Sequence, residues 1–253
     1  MREPPRLLIL GGTTEARELA ALLTARHGTR LEVMSAQAGR TRTPQPIAGA
    51  LRRGSFGGAE GLARFLDSAG IDVVVDCTHP FAIAMQRNAQ AATRAGDVAF
   101  LALRRPAWTR SPDDLWIEVD DVAGAVAALA SLGRRIFLTL GQRDLDAFAA
   151  LDARYFLVRL IEKPDSFPFA DGELLLARGP FTCADELALM RRARIDVLVT
   201  KASGGAATFA KIAAARQLRL PVVMIRRRQP PDVPSVDSVT AAAAWVESTL
   251  DLA

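Results

Sequence analysis

Residues 7–16 read Leu7-Leu8-Ile9-Leu10-Gly11-Gly12-Thr13-Thr14-Glu15-Ala16, a short apolar run that ends at two glycines. An unbroken apolar run of this length is typical of a buried parallel strand. The apolar residues beyond it recur at helical spacing: Ala16, Leu19, Ala20, Leu22 and Leu23. The stretch therefore predicts a strand, a glycine turn and a helix N-terminus, where unpaired N–H groups and the helix dipole attract a phosphate.

The match to the dinucleotide fingerprint G-x-G-x-x-G is imperfect, because Thr13 and Ala16 replace its second and third glycines. Two interpretations stay open on this stretch alone: a dinucleotide site, or an ordinary strand-to-helix turn of an α/β protein. Thr13 and Thr14 favour a ligand, because their hydroxyl groups can cap the helix or donate to a phosphate.

The chain has 253 residues, enough for two domains of about 120 residues each. The strand, glycine and polar turn of the opening recur at Ile136-Phe137-Leu138-Thr139-Leu140-Gly141-Gln142-Arg143. We therefore predict an N-terminal domain over residues 1–132 and a C-terminal domain over residues 133–253, with the boundary near Gly133.

Composition limits the class of protein. No apolar run approaches the roughly 18 residues of a membrane span and no basic-then-apolar leader is visible, so we expect a soluble, cytoplasmic protein without a membrane partner. Two cysteines (Cys77, Cys183) and two histidines (His27, His79) are too few for a disulfide framework or a zinc-type ligand cluster. We therefore predict no metal site.

The net charge of +4 rests on 29 arginines and only three lysines, Lys163, Lys201 and Lys211. The basic excess fits an acidic ligand. Arginine is spread along the chain without interleaved aromatic residues, so a nucleic-acid groove is not predicted.

Strands and helices alternate along the rest of the chain. Apolar runs predict further strands at residues 31–34, 71–75, 98–103, 116–119, 136–140, 155–160, 174–177, 195–200 and 222–225. Helices are predicted at residues 83–94 and 207–218, and the proline-marked basic stretch through Arg52 and Arg53 as a loop. Such alternation predicts parallel sheets with right-handed crossovers.

The end of the second strand is where a dinucleotide enzyme selects its cofactor. Glu32 has the spacing of a ribose ligand but lies inside the predicted strand, whereas Ser35 and Arg40 lie at its tip. Hydroxyl and guanidinium groups accommodate a 2′-phosphate, so this tip favours NADP over NAD; a solvated loop arginine is the alternative.

Polar residues follow two other strands at their carboxyl ends, where open α/β sheets bind ligands. One is Asp76-Cys77-Thr78-His79-Pro80-Phe81-Ala82, in which Pro80 at a helix start presents Thr78 and His79 to the crevice. The other is Lys201-Ala202-Ser203-Gly204-Gly205-Ala206. Whether His79 is structural or catalytic stays open at this point.

Taken together, these blocks resemble the precorrin-6A reductases of cobalamin (vitamin B12) biosynthesis over nearly the full chain. The resemblance is carried by residues 10–17, 38–41, 76–82, 178–181 (Arg-Gly-Pro-Phe) and 200–205, and by the closing stretch 211–225. It implies two Rossmann-like domains with mainly parallel sheets, NADPH as reductant, and a polycarboxylate tetrapyrrole bound in the cleft between the domains. Neighbouring enzymes of the pathway are further candidate partners.

The positions of the polar residues at strand ends assign roles that fit this resemblance. Cofactor-binding residues would be Gly11, Gly12, Thr13, Thr14, Glu15, Ser35, Arg40, Thr78, His79 and Pro80. Substrate carboxylates would meet Arg143, Arg178, Lys201, Ser203, Gly204, Gly205 and Lys211, since arginine binds carboxylates bidentately and lysine acts as a point charge. Lys201 and His79 are the candidate catalytic groups, although solvent could also supply the proton.

Three other classes compete with this interpretation. A short-chain dehydrogenase would need Tyr-x-x-x-Lys, but Tyr155 is followed four residues later by Arg159. A methyltransferase that uses S-adenosylmethionine would leave Arg40 and the anion-binding turns of the second half unexplained. A non-enzymatic nucleotide-binding regulator is the alternative outside the enzymes.

Arg40 provides the first testable prediction. Arg40→Ala should remove a charge-assisted contact worth about 1.5 to 3 kcal/mol, which weakens NADPH binding about ten- to a hundredfold and spares NADH. Titration of both cofactors measures this difference. Equal losses for NADPH and NADH would show that Arg40 does not bind the 2′-phosphate.

Overall fold

A computed structural model describes residues 3–39, 45–151 and 153–252 of the chain. The chain forms two compact units, one of Met1–Pro106 with Gln229–Ala253 and the other of Ala107–Arg228. Each unit contains a six-stranded sheet in which neighbouring strands are parallel. The predicted α/β class with two parallel sheets is confirmed.

The first unit alternates strands and helices from its first residues. Its strands are β1 (Arg6–Leu10), β2 (Glu32–Gln37), β3 (Ala50–Arg53), β4 (Val73–Asp76), β5 (Ala99–Leu103) and β12 (Ser235–Val236). Its helices are α1 (Thr14–His27), α2 (Gly58–Ser68), α3 (Ile83–Ala95) and α7 (Val239–Thr249). The sheet order is β3-β2-β1-β4-β5-β12, the order of a dinucleotide-binding Rossmann sheet.

Strand β1 is apolar from Leu7 to Leu10 because helices cover both of its faces. Leu7 and Ile9 belong to a core cluster with residues of α1 and α7, whereas Leu8 and Leu10 belong to a second cluster with residues of α2 and α3. Successive side chains of a strand point to opposite faces, so a strand between two helical layers needs no polar positions. The apolar run of residues 7–10 therefore lies in the centre of this sheet.

The second unit repeats the plan. Its strands are β6 (Trp116–Val119), β7 (Arg135–Thr139), β8 (Tyr155–Leu160), β9 (Gly172–Leu176), β10 (Val197–Lys201) and β11 (Val222–Ile225). Its helices are α4 (Val122–Ala128), α5 (Cys183–Arg192) and α6 (Ala210–Gln217), and a 3-10 helix covers Gln142–Phe148. Phe137, Leu157 and Leu198 from three strands pack with apolar residues of α5 and α6 in its core.

Both sheets have a topological switch point, where the strand order reverses direction. In the first sheet it lies between β1 and β4; in the second, ordered β9-β8-β7-β10-β11-β6, it lies between β7 and β10. Open α/β sheets bind ligands at the carboxyl ends of the strands at such a point. Each unit therefore has one expected ligand edge of its own.

The predicted boundary between residues 132 and 133 does not match the division into units. Strand β6 pairs with β11 and so belongs to the second sheet, although it precedes residue 133. Strand β12 pairs with β5 in the first sheet, and α7 packs on the same unit. A boundary placed at a repeated motif cannot show which sheet a short edge strand will join.

Three local predictions also need correction. Residues 50–53 form the edge strand β3 instead of a loop, and β3 is largely exposed and basic, so it lacks the apolar pattern of the buried strands. Strand β2 continues to Gln37, beyond the predicted end at residue 34. Helix α6 begins at Ala210 and not at Ala207. Within the described ranges, every helix is too short or too polar to cross a membrane.

Candidate functional site

The glycine turn after β1 lies against the loop that follows β4. Gly11 has φ +123°, and a Cβ atom added there would lie 2.7 Å from the carbonyl oxygen of Cys77. Its N–H donates to the carbonyl of Ala36 at the end of β2, at 2.9 Å. Only glycine fits both the backbone conformation and this close approach.

Thr13 connects the same two loops and starts α1. Its hydroxyl donates to the Cys77 carbonyl (2.8 Å) and accepts from the N–H of Ala16 (3.2 Å). Of the two roles predicted for this hydroxyl, the structure shows the helix cap. Thr14, one residue on, accepts from the guanidinium of Arg17 at 3.3 Å.

Gly12 stands in a different environment from Gly11. Its φ is ordinary, and the nearest atoms to an added Cβ belong to the side chain of Gln37, at 3.4 Å. Gln37 is the last residue of β2 and is half-buried. Gln37 therefore lies beside the glycine turn, at the end of β2 where Ser35 was predicted. It is two residues beyond Ser35 on the same face of the strand.

Ser35 is misplaced in the prediction. It lies inside β2, two residues before the strand ends, and is fully buried, because β2 is longer than its apolar run indicates. Ser35 therefore does not lie at the strand tip where a 2′-phosphate would bind. Arg40, the other residue of the predicted tip, lies outside the described residues, so its role stays a prediction.

The polar cluster after β4 begins with a buried carboxyl group that the sequence analysis quoted but did not single out. Asp76 ends β4 at the switch point, and its Oδ1 accepts from the N–H of Thr78 at 2.9 Å. Burial raises the pKa of the Asp76 carboxyl, although hydrogen bonds from Thr78 and the charge of Arg104 act in the opposite direction. A carboxyl group with such a shift at a ligand edge is a functional candidate.

His79 is held in a defined orientation in the same loop. Its Nδ1 accepts from the N–H of Phe81 at 3.3 Å, and the two rings lie 5.8 Å apart. A neutral imidazole that accepts at Nδ1 carries its proton on Nε2. Thr78, His79 and Pro80 are all half-buried in this loop. Pro80 lies in a turn ahead of α3, which begins at Ile83, so the predicted helix start at Pro80 is wrong.

At the switch point of the second unit, Lys201 ends β10 and pairs with Asp144. The ammonium Nζ lies 2.6 Å from Asp144 Oδ2, and both side chains are partly exposed. Asp144 lies in the 3-10 helix after β7, one residue beyond the exposed Arg143. The structure therefore brings Lys201 and Arg143 to one edge and adds Asp144, which the sequence analysis missed although it follows the quoted repeat directly.

The turn after Lys201 is fixed by two side chains that the sequence analysis also missed. The guanidinium of Arg227 donates to the carbonyls of Ala202 and Ser203, each at 2.7 Å. The indole N–H of Trp108 donates to the carbonyl of Gly205, also at 2.7 Å. Turns at residues 205–209 separate these glycines from α6, so the predicted helix start directly behind Gly204 and Gly205 is wrong.

Two predicted substrate residues lie elsewhere in the second unit. Arg178 follows β9, an edge strand that is separated from β10 by two other strands, and is half-buried. Lys211 lies inside α6 and is almost fully buried. It is therefore not at the carboxyl end of a strand, and the prediction that it meets a substrate carboxylate is not supported.

Lys211 instead lies near a buried ion pair. Arg159 and Glu186 form two hydrogen bonds of 2.6 and 2.8 Å, and the Lys211 ammonium lies 5.5 Å from the centre of the Trp108 ring. Burial lowers the pKa of Lys211 to about 7; the charge of Arg159 acts in the same direction and that of Glu186 opposes it.

Among the described residues, no group of His, Cys, Asp and Glu is arranged to hold a metal ion.

These observations define the class of the chain: a Rossmann-like α/β protein with two parallel sheets, whose first sheet carries a glycine turn and a helix N-terminus at its switch point. The particular family follows from comparison with known proteins. Residues 6–247 match the family described as Precorrin-6x reductase CbiJ/CobK. The chain belongs to this family.

Individual relatives agree with that membership. A precorrin-6A reductase of Rhodococcus erythropolis is 51% identical over 95% of this chain and 97% of its own length. A cobalt-precorrin-6A reductase of Salmonella typhimurium is 27% identical over 88% of each chain. The solved structure named CobK precorrin-6A reductase superposes with a TM-score of 0.91 at 40% identity, covering 97% of both chains.

The two glycines should respond differently to substitution. Gly11→Ala should lower the free energy of unfolding by about 3 kcal/mol or more, because the new Cβ meets the Cys77 carbonyl and the φ is unfavourable. Gly12→Val should stay folded, because only a flexible side chain is near, but lose NADPH binding. Denaturant unfolding and cofactor titration measure both effects. A folded Gly12→Val protein with wild-type affinity would place the phosphate elsewhere.

Lys211 should make stability depend on pH. In the unfolded chain the Lys211 ammonium has its usual pKa of 10.5, whereas in the folded protein its pKa is about 7. Between these values the unfolded state binds more protons, so this group makes the fold more stable as pH rises from 7 towards 10. Unfolding of the wild type and Lys211→Met should diverge by up to about 1.4 kcal/mol per pH unit. Parallel profiles would contradict this expectation.

Proposed function

We propose that this chain is an NADPH-dependent reductase of precorrin-6A, which reduces one C=C bond of the macrocycle in cobalamin biosynthesis. The observation that carries the proposal is family membership over residues 6–247, combined with the glycine turn at the switch point of the first sheet. The members named above are precorrin-6A and cobalt-precorrin-6A reductases. An oxidoreductase acting on a CH–CH bond follows from that membership.

The first unit fits a dinucleotide. Gly11 allows the turn to lie flat against Cys77, and the Thr13 cap orients the N-terminus of α1 at the carboxyl edge of the sheet. Backbone N–H groups at such a terminus bind a diphosphate. The bound NADPH would supply the hydride, and the protein must hold it against the macrocycle and exclude water.

The preference for NADPH over NADH rests on Arg40, which follows the last residue of β2 by three positions in the sequence. Thr78, His79 and Pro80 line the neighbouring loop after β4 and complete the proposed cofactor set. When its ring is neutral, His79 carries its hydrogen on Nε2, because Nδ1 accepts from Phe81, so it can donate a hydrogen bond to the carboxamide or a ribose.

In the second unit, Lys201 and Arg143 present two cations at one switch point, and precorrin-6A is rich in carboxylates. Asp144 holds the Lys201 ammonium at 2.6 Å, which fixes the charge without burying it. Ser203, Gly204 and Gly205 follow in a turn whose carbonyls at 202, 203 and 205 are bound by Arg227 and Trp108. We assign carboxylate binding to this edge. Lys201 is the candidate proton donor there.

The relatives also bear on the substrate. Relatives at 43–51% identity, from Rhodococcus, Sinorhizobium, Rhodobacter and Mycobacterium tuberculosis, are precorrin-6A reductases, whereas the cobalt-precorrin-6A reductases are 26–28% identical. We therefore propose the metal-free macrocycle as substrate. The described residues need not bind cobalt in either case, because ring nitrogens would hold it.

Anaerobic incubation with NADPH and precorrin-6A tests the function directly. We expect one NADPH oxidised per macrocycle reduced, and slower turnover with NADH or with the cobalt-containing substrate. Cofactor absorbance and the mass of the product measure the stoichiometry. NADPH that stays unoxidised in the presence of intact, folded protein would contradict the proposal.

Lys201 provides the prediction for the second unit. Lys201→Ala and Lys201→Arg should both lower turnover, because the first removes the charge and the second replaces a compact ammonium by a planar fork. The loss of a partly exposed ion pair should change stability by no more than about 1 kcal/mol. The exposed Lys163, in the loop after β8, gives the matched control Lys163→Ala. Wild-type turnover in both Lys201 variants would place this residue outside the site.

A further inference from the structure

Glu15 poses an electrostatic problem in the first unit. It lies in the first turn of α1, at the helix end where the proposed diphosphate binds. A carboxylate there interacts well with the helix dipole. The same carboxylate would repel a diphosphate, so a dinucleotide site that contains Glu15 needs a cation beside it.

Arg105 is that cation. It follows β5 by two residues, and its Nη2 lies 2.8 Å from Glu15 Oε2. The Arg105 side chain is 13% exposed and that of Glu15 22%, so this pair is better shielded from water than an ordinary surface ion pair. Since β4 lies between β1 and β5 in the sheet, the guanidinium reaches back across the carboxyl end of β4 towards α1.

The charges of this pair also act on Cys77, the residue that follows β4. Burial raises the pKa of the Cys77 thiol, the charges of Asp76 and Glu15 raise it further, and the charge of Arg105 lowers it. Both members of the ion pair therefore act on the residue whose carbonyl anchors Thr13. The ion pair therefore lies close to the loop after β4, at the carboxyl edge of the first sheet.

We propose that Arg105 binds the diphosphate of the dinucleotide and at the same time neutralises the Glu15 carboxylate beside it. This inference rests on the proposed function. A guanidinium has five N–H donors in a fixed fork, so it can bind a carboxylate and a phosphate at the same time.

A purely structural ion pair predicts different consequences. If the pair only ties β5 to α1, removing either partner should have the same effect on the site. If Arg105 meets the diphosphate, loss of Arg105 leaves an uncompensated carboxylate facing the ligand, whereas loss of Glu15 leaves a cation and removes a repulsion. The two neutral variants should then change the affinity for the dinucleotide in different directions.

The experiment compares Arg105→Gln with Glu15→Gln in the full chain, by titration with NADPH and by thermal unfolding. We expect Arg105→Gln to raise the Kd for NADPH by about tenfold or more, and to reduce the salt dependence of binding. Glu15→Gln should leave the Kd within about threefold of the wild type, or lower it. Both variants should unfold at similar temperatures, because both lose the same ion pair.

Two controls separate charge and location. Arg105→Lys keeps a cation without the fork and should weaken binding less than Arg105→Gln does. Arg26→Gln removes a second ion pair of the same helix, the 3.0 Å contact with Glu247 near the last turn of α1, and should not change the Kd. Adenosine 2′-monophosphate, which lacks the diphosphate, should bind equally to wild type and Arg105→Gln.

Three outcomes would overturn the inference. Equal weakening by Arg105→Gln and Glu15→Gln would assign the pair a structural role. An unchanged Kd for NADPH with a raised KM for precorrin-6A would assign Arg105 to a substrate carboxylate. Loss of adenosine 2′-monophosphate binding in Arg105→Gln would indicate general damage to the site. By contrast, a wild-type protein that binds no NADPH would refute the proposed function itself.

Discussion

The first unit depends on the close approach of two backbone segments at Gly11 and Cys77. The space for a Cβ at Gly11 is already occupied by the Cys77 carbonyl, and Thr13 donates to that same oxygen. This contact fixes the start of α1 relative to the end of β4. The positions of the Asp76 carboxyl, the His79 ring and the Glu15–Arg105 pair all follow from it, because each of these groups lies within a few residues of one of the two segments or bonds to them.

The second unit has the same order in five of its strands, although its sixth strand, β6, precedes the others in the chain where β12 follows them. It fixes its loops by other means. Its turn after β7 has a single glycine, Gly141, and enters a 3-10 helix where the first unit has a long α-helix. Ion pairs and side-chain donors replace the backbone approach: Lys201 with Asp144, Arg227 with two carbonyls, and Trp108 with a third. One sheet topology thus carries an edge suited to a diphosphate in one unit and an edge suited to carboxylates in the other.

The sequence predicts the buried parts of this fold well. Strands such as β1, β4 and β10 are covered on both faces. Most of their side chains are therefore buried and apolar, and the sequence shows each strand as an apolar run. The edge strand β3 and the two-residue strand β12 carry no such run, because few of their side chains are buried. The division of the chain into two units was not predicted for the same reason, because it depends on which sheet the edge strands β6 and β12 join.

The candidate sites were predictable only in part. Glycines and polar residues directly after buried strands identify the loops, and Gly11, Thr13, His79 and Lys201 all lie where such loops place them. Partners distant in sequence leave no local pattern: Arg105 lies 90 residues from Glu15 and Asp144 lies 57 from Lys201. Helical burial of Lys211 was likewise invisible, because α6 carries it on the face that packs against α5 and the sheet.

The discontinuous first unit also constrains how the protein is made. Synthesis on the ribosome proceeds from residue 1, yet Ala242, Ala243 and Val246 of α7 pack in the cluster that contains Leu7 and Ile9. The whole of Ala107–Arg228 must therefore leave the ribosome before α7 can complete the core of the first unit. Until then one apolar face of the first sheet is not fully covered. The glycine turn at Gly11 and Thr13 is made early in synthesis, but the core beneath it is completed only when α7 packs.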